Sequence, residues 1–387
     1  MKFMKEILIN VLFSFVFLSN CQNTDKQIFE RNNYSVKTIF IPKAQNADDL
    51  EIIDDLSYIL LEDKVNSLLG YVTKIRVHKK RLFVLDNSEA ESLFIYTIDG
   101  NHITTIGNNK GRGPYEFLSV SNFEIDFIND QLLVMDNWGR KFMIYDLDGR
   151  FIKKIDSEIP VDHAVLLPNG YIMHAKSSFD YKIPNQSNSS IIITDDKNHI
   201  LKEGFEYDDN ENLNITSYGI LCTQHDGSVN FAPKFRDTIY SVSFDSIVPK
   251  YAIHYGNNKK ISRNQMKDLN SVQELIKLIN AGNMCFLGDQ VESKDYLFFS
   301  LGRSRYQTYV FYNKQTTNTI ALFQRANITD YKYELYKILC SDSEGYFYGA
   351  FNHTTFDKLN KLFPELQKID RKDLNPILFR YKIKNGI

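Results

Sequence analysis

One pattern recurs along the chain. Six times a polar turn runs straight into an apolar or aromatic strand: KKRLFVLD, NDQLLVMD, PNGYIMHA, HDGSVNFA, SKDYLFFS and SEGYFYGA. The first strand residues are Leu82, Leu132, Tyr171, Ser228, Tyr296 and Tyr346, roughly 40 to 70 residues apart, a period that belongs to arrays of one repeated unit. The first two copies agree in detail. RLFVLDNSEAESLFIYTIDG begins at Arg81 and QLLVMDNWGRKFMIYDLDG at Gln131. In both, a strand ends in Asp-Asn, a second strand centres on Ile-Tyr, and Asp-Gly turns the chain into a third. Asp-Gly between apolar runs signals a tight hairpin, because Gly accepts the positive φ that the turn demands.

Each unit is thus a four-stranded meander with one strand before the marker turn and three after it. Six such units make an all-β, six-bladed β-propeller of four-stranded antiparallel blades. The composition agrees, with 23 Tyr and 28 Phe, residues that favour pleated, half-buried surfaces. The longer intervals have local causes: DYKIPNQSNSS extends a hairpin in the third copy, and a helical insertion lengthens the fourth. In Ile261 to Asn280, apolar residues fall at helical spacing after Ser262 as N-cap. Thr354 to Asp370 reads as a second short helix interrupted near Pro364. The sixth copy supplies only three strands before Ile387, and Leu56 to Glu62 (LSYILLE) supplies the fourth. An N-terminal strand that closes the ring removes an exposed sheet edge.

The N-terminus begins MKFMKEILINVLFSFVFLSNC. A basic start and an apolar run of about a dozen residues fall short of the roughly 20 needed to span a membrane. Residues 1–20 read as a signal peptide, and Leu18-Ser19-Asn20-Cys21 resembles a bacterial lipobox, which makes Cys21 the lipidation site. Residues 21–49 read as the lipidated Cys and a polar tether, and 50–387 as the propeller. This implies a cell-envelope address, on the outer membrane of a Gram-negative bacterium, with the leaflet left open. Charge is balanced, 46 basic against 48 acidic residues, and shows no clustered cationic footprint for nucleic acid. Cys222 and Cys340 precede the turn glycines Gly227 and Gly345 by the same interval that separates Val165 from Gly170. A position that accepts Val or Cys reads as a small buried site rather than a catalytic thiol.

The chain resembles the Bacteroides-type six-bladed β-propeller lipoproteins, relatives of NHL-repeat propellers. The resemblance is carried by LSYILLE with the first blade, RLFVLDN with SLFIYTIDG, the segment Gly111 to Phe117 (GRGPYEF), and LSNC. In that family the segment reads G-x-G-P-x-E-[YF], often with Gly where this chain has Tyr115. The resemblance implies the fold and leaves the biochemical role open.

Candidate chemistry is sparse. GNNKGRGPYEF lacks the Lys-Ser/Thr pair and following helix of a phosphate loop, and neither H-E-x-x-H nor G-x-S-x-G occurs. The segment reads as the connector between blades one and two, with Arg112, Tyr115 and Glu116 as face contacts. Innermost strands bring Asn122, Glu124, Asp162, His163 and Tyr218 towards the channel. The expectation is a non-catalytic binding or scaffold module that offers one propeller face to a ligand, glycan or protein partner of the envelope, as a monomer or accessory subunit with no cofactor. The alternative is a metal-dependent propeller hydrolase or lyase with Ca2+ or Zn2+ at the channel mouth, drawn from the oxygen and imidazole donors of that residue set.

Overall fold

A computed structural model describes residues 35–46, 52–64, 67–157, 163–170, 172–175, 189–206, 219–303, 306–325, 335–351, 363–368 and 375–384. Three N-terminal strands, β1 (Lys37–Phe40), β2 (Gln45–Asn46) and β3 (Ile53–Ile59), precede the repeats. Blade 1 is β4 (Lys74–His78), β5 (Arg81–Asp86), β6 (Ser92–Thr97) and β7 (His102–Ile106). Blade 2 is β8 (Asn122–Asp126), β9 (Gln131–Asp136), β10 (Lys141–Asp146) and β11 (Phe151–Asp156). Blade 3 is β12 (His163–Leu166), β13 (Ile172–Ala175), β14 (Ser189–Thr194) and β15 (Ile200–Glu206). Blade 4 is β16 (Leu221–Thr223), β17 (Val229–Phe231), β18 (Thr238–Val242) and β19 (Ile247–His254). Blade 5 is β20 (Phe286–Glu292), β21 (Tyr296–Arg303), β22 (Tyr306–Asn313) and β23 (Thr319–Arg325). Blade 6 is β24 (Ile338–Ser341), β25 (Phe347–Phe351) and β26 (Ile377–Ile383), completed by β3.

The ring therefore closes as the sequence requires. β3 pairs antiparallel with β26, Leu378 opposite Ile59 and Ile383 opposite Ile53. Residues 37–46 fall in the stretch read as tether, yet they contribute strands. β1 adds in parallel to the outer edge of blade 4 and β2 to that of blade 5. The N-terminal segment thus passes along blades 4, 5 and 6 in turn and covers two outer edges as well as closing the third.

Both faces of each blade are buried, which is why the marker strands are continuously apolar rather than alternating. In β5, Leu82 and Val84 pack into the wedge against blade 6, while Phe83 and Leu85 pack into the wedge against blade 2. Among the described residues, each of the six wedges holds its own apolar cluster. The Asp-Gly hairpins form as read, with Gly100 and Gly149 at φ of 90° and 81°. A Cβ at Gly100 would also lie 1.9 Å from the Leu60 carbonyl oxygen, so this turn excludes a side chain twice over.

The first insertion folds as two helices, α1 (Arg263–Lys267) and α2 (Val272–Asn280), capped by Ser262 and Ser271. Leu275 and Ile279 of α2 pack with Ile261, Met266 and Leu287, so the apolar stripe faces the propeller. Most of the second insertion lies outside the described residues; its described part is a 3-10 turn, Pro364–Lys368.

Every innermost strand starts on one face of the disc and ends on the other, and the two faces differ. On the face where β4 begins, hereafter the top, the longer connections span 60–73, 107–121, 207–220, 255–285, 326–337 and 352–376, beside a short one at 157–162. The bottom face carries short turns such as 79–80, 127–130, 224–228 and 293–295.

Candidate functional site

The channel is plugged by a polar network from the innermost strands. Lys74 and Arg76 of β4 are 2% and 8% exposed, and Glu124 of β8 is 1% exposed. Arg76 donates from Nε to Glu124 Oε1 at 2.7 Å and from Nη2 to Oε2 at 3.0 Å, a bidentate pair. Lys74 Nζ donates to Glu124 Oε2 at 2.9 Å, to the Phe123 carbonyl at 2.7 Å and to Asn122 Oδ1 at 3.1 Å. The Asn122 amide nitrogen lies 3.2 Å from His163 Nδ1. On the far side Arg76 Nη2 reaches Cys222 Sγ at 3.2 Å. Burial would raise the Glu124 carboxyl, but Arg76 and Lys74 outweigh it and hold the group at about 2. Burial opposes the Arg76 charge too, and Glu124 more than offsets it. For Lys74, burial prevails over Glu124 and lowers its proton affinity.

Above this plug, on the top face, opens a cavity of about 460 Å3. Its floor is Lys74 and Arg76. From the channel it extends between blades 5 and 6, past Gln290, Ser300 and Gln307 on one side and Tyr336 to Leu339 on the other, with Tyr71 and Tyr309 as aromatic wall. Below Arg76 lies a much smaller space of about 30 Å3, bounded by Phe127, His225 and Ser341. Arg76 therefore separates a ligand-sized cavity from a water-sized one.

Backbone geometry at the rim is fixed by an aspartate repeated in the Asp-Asn strand ends. Asp86 accepts the amides of Gly70 and Tyr71 at 2.8 and 3.0 Å, and those of Ser88 and Glu89. It thereby holds the connector that carries Tyr71 into the cavity wall. Burial opposes its charge, and these four amides pull the carboxyl below its ordinary range. Asp136 does the same in blade 2, accepting from Leu118 at 2.8 Å and Gly139 at 2.7 Å.

Of the residues expected from sequence, Asn122, Glu124 and His163 meet in the plug. Asp162, Tyr218 and Cys21 lie outside the described residues. Arg112, Tyr115 and Glu116 belong to the connector and line no part of the cavity. Tyr115 is 62% exposed and sits edge-on to Phe151 of outermost β11, with centroids 4.9 Å apart. The Glu116 carboxylate folds back to accept from the Gly113 amide at 2.7 Å. Lys141 donates to the Glu116 carbonyl and lies over the Phe117 ring. A Cβ at Gly111 would lie 2.0 Å from Glu116 Oε2, and one at Gly113 would lie 2.9 Å from it, so the glycines make room for that carboxylate. Cys222, Cys285 and Cys340 are buried thiols in no disulfide. Cys222, expected to be apolar in setting, faces the Arg76 guanidinium instead.

Among the described residues no three or more His, Cys, Asp and Glu side chains are grouped to hold a metal. Both Glu124 oxygens are already engaged by cations. Lys74 and Arg76 were not singled out from sequence. The signal was the copy alignment: KIRVH and NFEID occupy the same innermost strand in blades 1 and 2, with polar residues at matching alternate positions.

The family model described as a domain of unknown function (DUF4934) matches residues 36–382. None of the curated proteins matches the chain. Among solved structures, a Bacteroides fragilis protein described as exported superposes with a TM-score of 0.72 at 19% identity, covering 91% of this chain and 100% of its own. A DUF4221-family member from Bacteroides vulgatus does so with a TM-score of 0.54 at 13% identity, covering 87% and 98%. At these identities the likeness concerns the fold.

Proposed function

The chain belongs to the DUF4934 family, and on that footing we propose that it is a lipid-anchored envelope propeller that binds a ligand or partner, without catalysis, through its top face. The observation that carries the reading is the inequality of the faces. The long connections and the 460 Å3 cavity share one face, while short hairpins close the other. The same face presents Trp138, 77% exposed in the β9–β10 turn, and Tyr71, 45% exposed at the cavity wall. Exposed Trp and Tyr are effective anchors for a partner. Against catalysis stands the plug itself: its carboxylate is neutralised by two cations and has no freedom to move a proton. The description of the B. fragilis neighbour as exported supports the address, as does the lipobox-like LSNC.

Site-specific photo-crosslinking in cells tests the binding face. A photoreactive residue at Tyr71 or Trp138 is expected to give adducts, and one at Ile128, exposed in a bottom turn, is not; adducts from Ile128 alone would reverse the assignment. Labelling with a fatty-acid precursor tests the anchor: Cys21→Ser is expected to lose label and membrane association, and unchanged association would end the lipoprotein reading.

A further inference from the structure

The charge of the plug does not balance. Lys74 and Arg76 are both buried, and among the described residues Glu124 is the one carboxylate bonded to them. Net charge held away from water is costly unless a counter-charge lies beside it. The cavity wall adds one charge of each sign, Asp289 and Lys337, and so leaves the plug's own excess in place. Three changes could restore balance. Burial lowers the proton affinity of Lys74, but its Nζ lies within 3.1 Å of three acceptor oxygens, and only the ammonium form has three protons to donate. Cys222 could ionise, but burial pushes its thiol up despite the guanidinium beside it. The third is an anion in the adjoining cavity, whose floor both cations form.

The donors of both cations are spent within the plug, Arg76 Nη1 on the Ile75 and Leu339 carbonyls, so what they offer the cavity is charge. Resting on the top-face reading above, we propose that this cavity takes a small hydroxylated organic acid, its carboxylate lying over the Lys74–Arg76 floor as the counter-charge. The volume, about 460 Å3, falls in the range of small-molecule sites. The walls suit the rest of such a molecule. Gln290, Ser300 and Gln307 offer hydrogen-bonding groups for hydroxyls, and Tyr309 and Tyr336 offer flat apolar surface with polar tips.

The test uses galacturonate and galactose, which share a ring and differ in a carboxylate against a hydroxymethyl group, titrated calorimetrically into the mature protein at constant ionic strength. Galacturonate is expected to bind saturably and raise the melting temperature, with galactose at least about tenfold weaker. Gln307→Ala, at a half-buried wall position, is expected to weaken galacturonate several-fold without moving the melting temperature of the free protein. Lys74→Met balances the plug and is expected to abolish the preference for the acid. Equal binding of the two sugars, no saturation by galacturonate, or an undiminished preference in Lys74→Met would each overturn the inference. If galacturonate fails to bind while crosslinks at Tyr71 and Trp138 persist, the organic acid falls and the binding face stands.

Discussion

Replacing Glu124 with Gln keeps the shape of the plug and removes the one carboxylate paired with Lys74 and Arg76 among the described residues. The cost can be worked from proton affinity. The carboxyl is held at about 2 in the folded chain against an ordinary 4.5. At about 1.4 kcal/mol for each tenfold change in proton affinity, ionised Glu124 stabilises the fold at pH 7 by roughly 3 kcal/mol. Breaking a buried pair by removing one partner gives a similar figure, about 3 to 5 kcal/mol. The sign follows from which state binds the proton first. Between pH 4.5 and 2 the unfolded chain is protonated at this position and the folded chain is not, so the contribution is complete above 4.5 and fades as pH falls towards 2. Urea unfolding followed by far-UV circular dichroism measures it. Glu124→Gln is expected to be less stable than the parent by roughly 3 kcal/mol at pH 7, with the gap narrowing by roughly 2 kcal/mol at pH 3. A gap below about 1 kcal/mol at pH 7, as for a surface ion pair, would refute the reasoning. So would a gap that does not change with pH.

Other expectations follow from single features. If Gly113 is glycine because Glu116 folds over it, Gly113→Ala should destabilise the parent but cost less beside Glu116→Ala, with a coupling of about 1 kcal/mol in a double-mutant cycle; additive effects would remove that explanation. His174 is wholly buried against Phe142 and bonds Thr194 Oγ1 at 2.9 Å. Burial holds its ring at about 3, below the ordinary 6.5. Stability from the neutral ring is therefore complete above pH 6.5 and lost as pH falls towards 3, and His174→Gln should show a flatter stability profile across that window. A chain begun at residue 47 loses β1 and β2 and uncovers the outer edge of blade 4, where Tyr251 and Ile253 pack with Ile39, whereas one begun at residue 61 also loses β3 and opens β26. The first should remain monomeric with a lower melting temperature, and the second should aggregate on size exclusion; equal behaviour would show that closure by β3 is dispensable.

The fold was legible because a propeller states its architecture several times over. RLFVLDN and QLLVMDN repeat the second strand, Asp-Gly marks the outer hairpin, and LSYILLE fills the gap left at the C-terminus. The belt formed by β1 and β2 was not legible. KTIF and QN are short, lie in a polar stretch, and form strands because blade edges offer partners, a tertiary cause that local pattern does not record. For the site, the repeat placed Asn122, Glu124 and His163 on innermost strands. It missed Lys74 and Arg76, because a charged strand beginning reads as surface until a facing carboxylate is known. The connector residues Arg112, Tyr115 and Glu116 are a different case. The segment read as a connector with a face position, and within it the Glu116 carboxylate serves the loop's own backbone.

Whether the top face is the working face can be read without knowing the ligand. Hydrogen exchange of the protein in isolated native envelopes, compared with the purified protein, should slow in peptides spanning 71–76, 287–291 and 336–339, which line the cavity. It should stay unchanged in the bottom turns 127–130 and 224–228. Slowing confined to those bottom turns, with the cavity peptides exchanging alike in both preparations, would contradict the account.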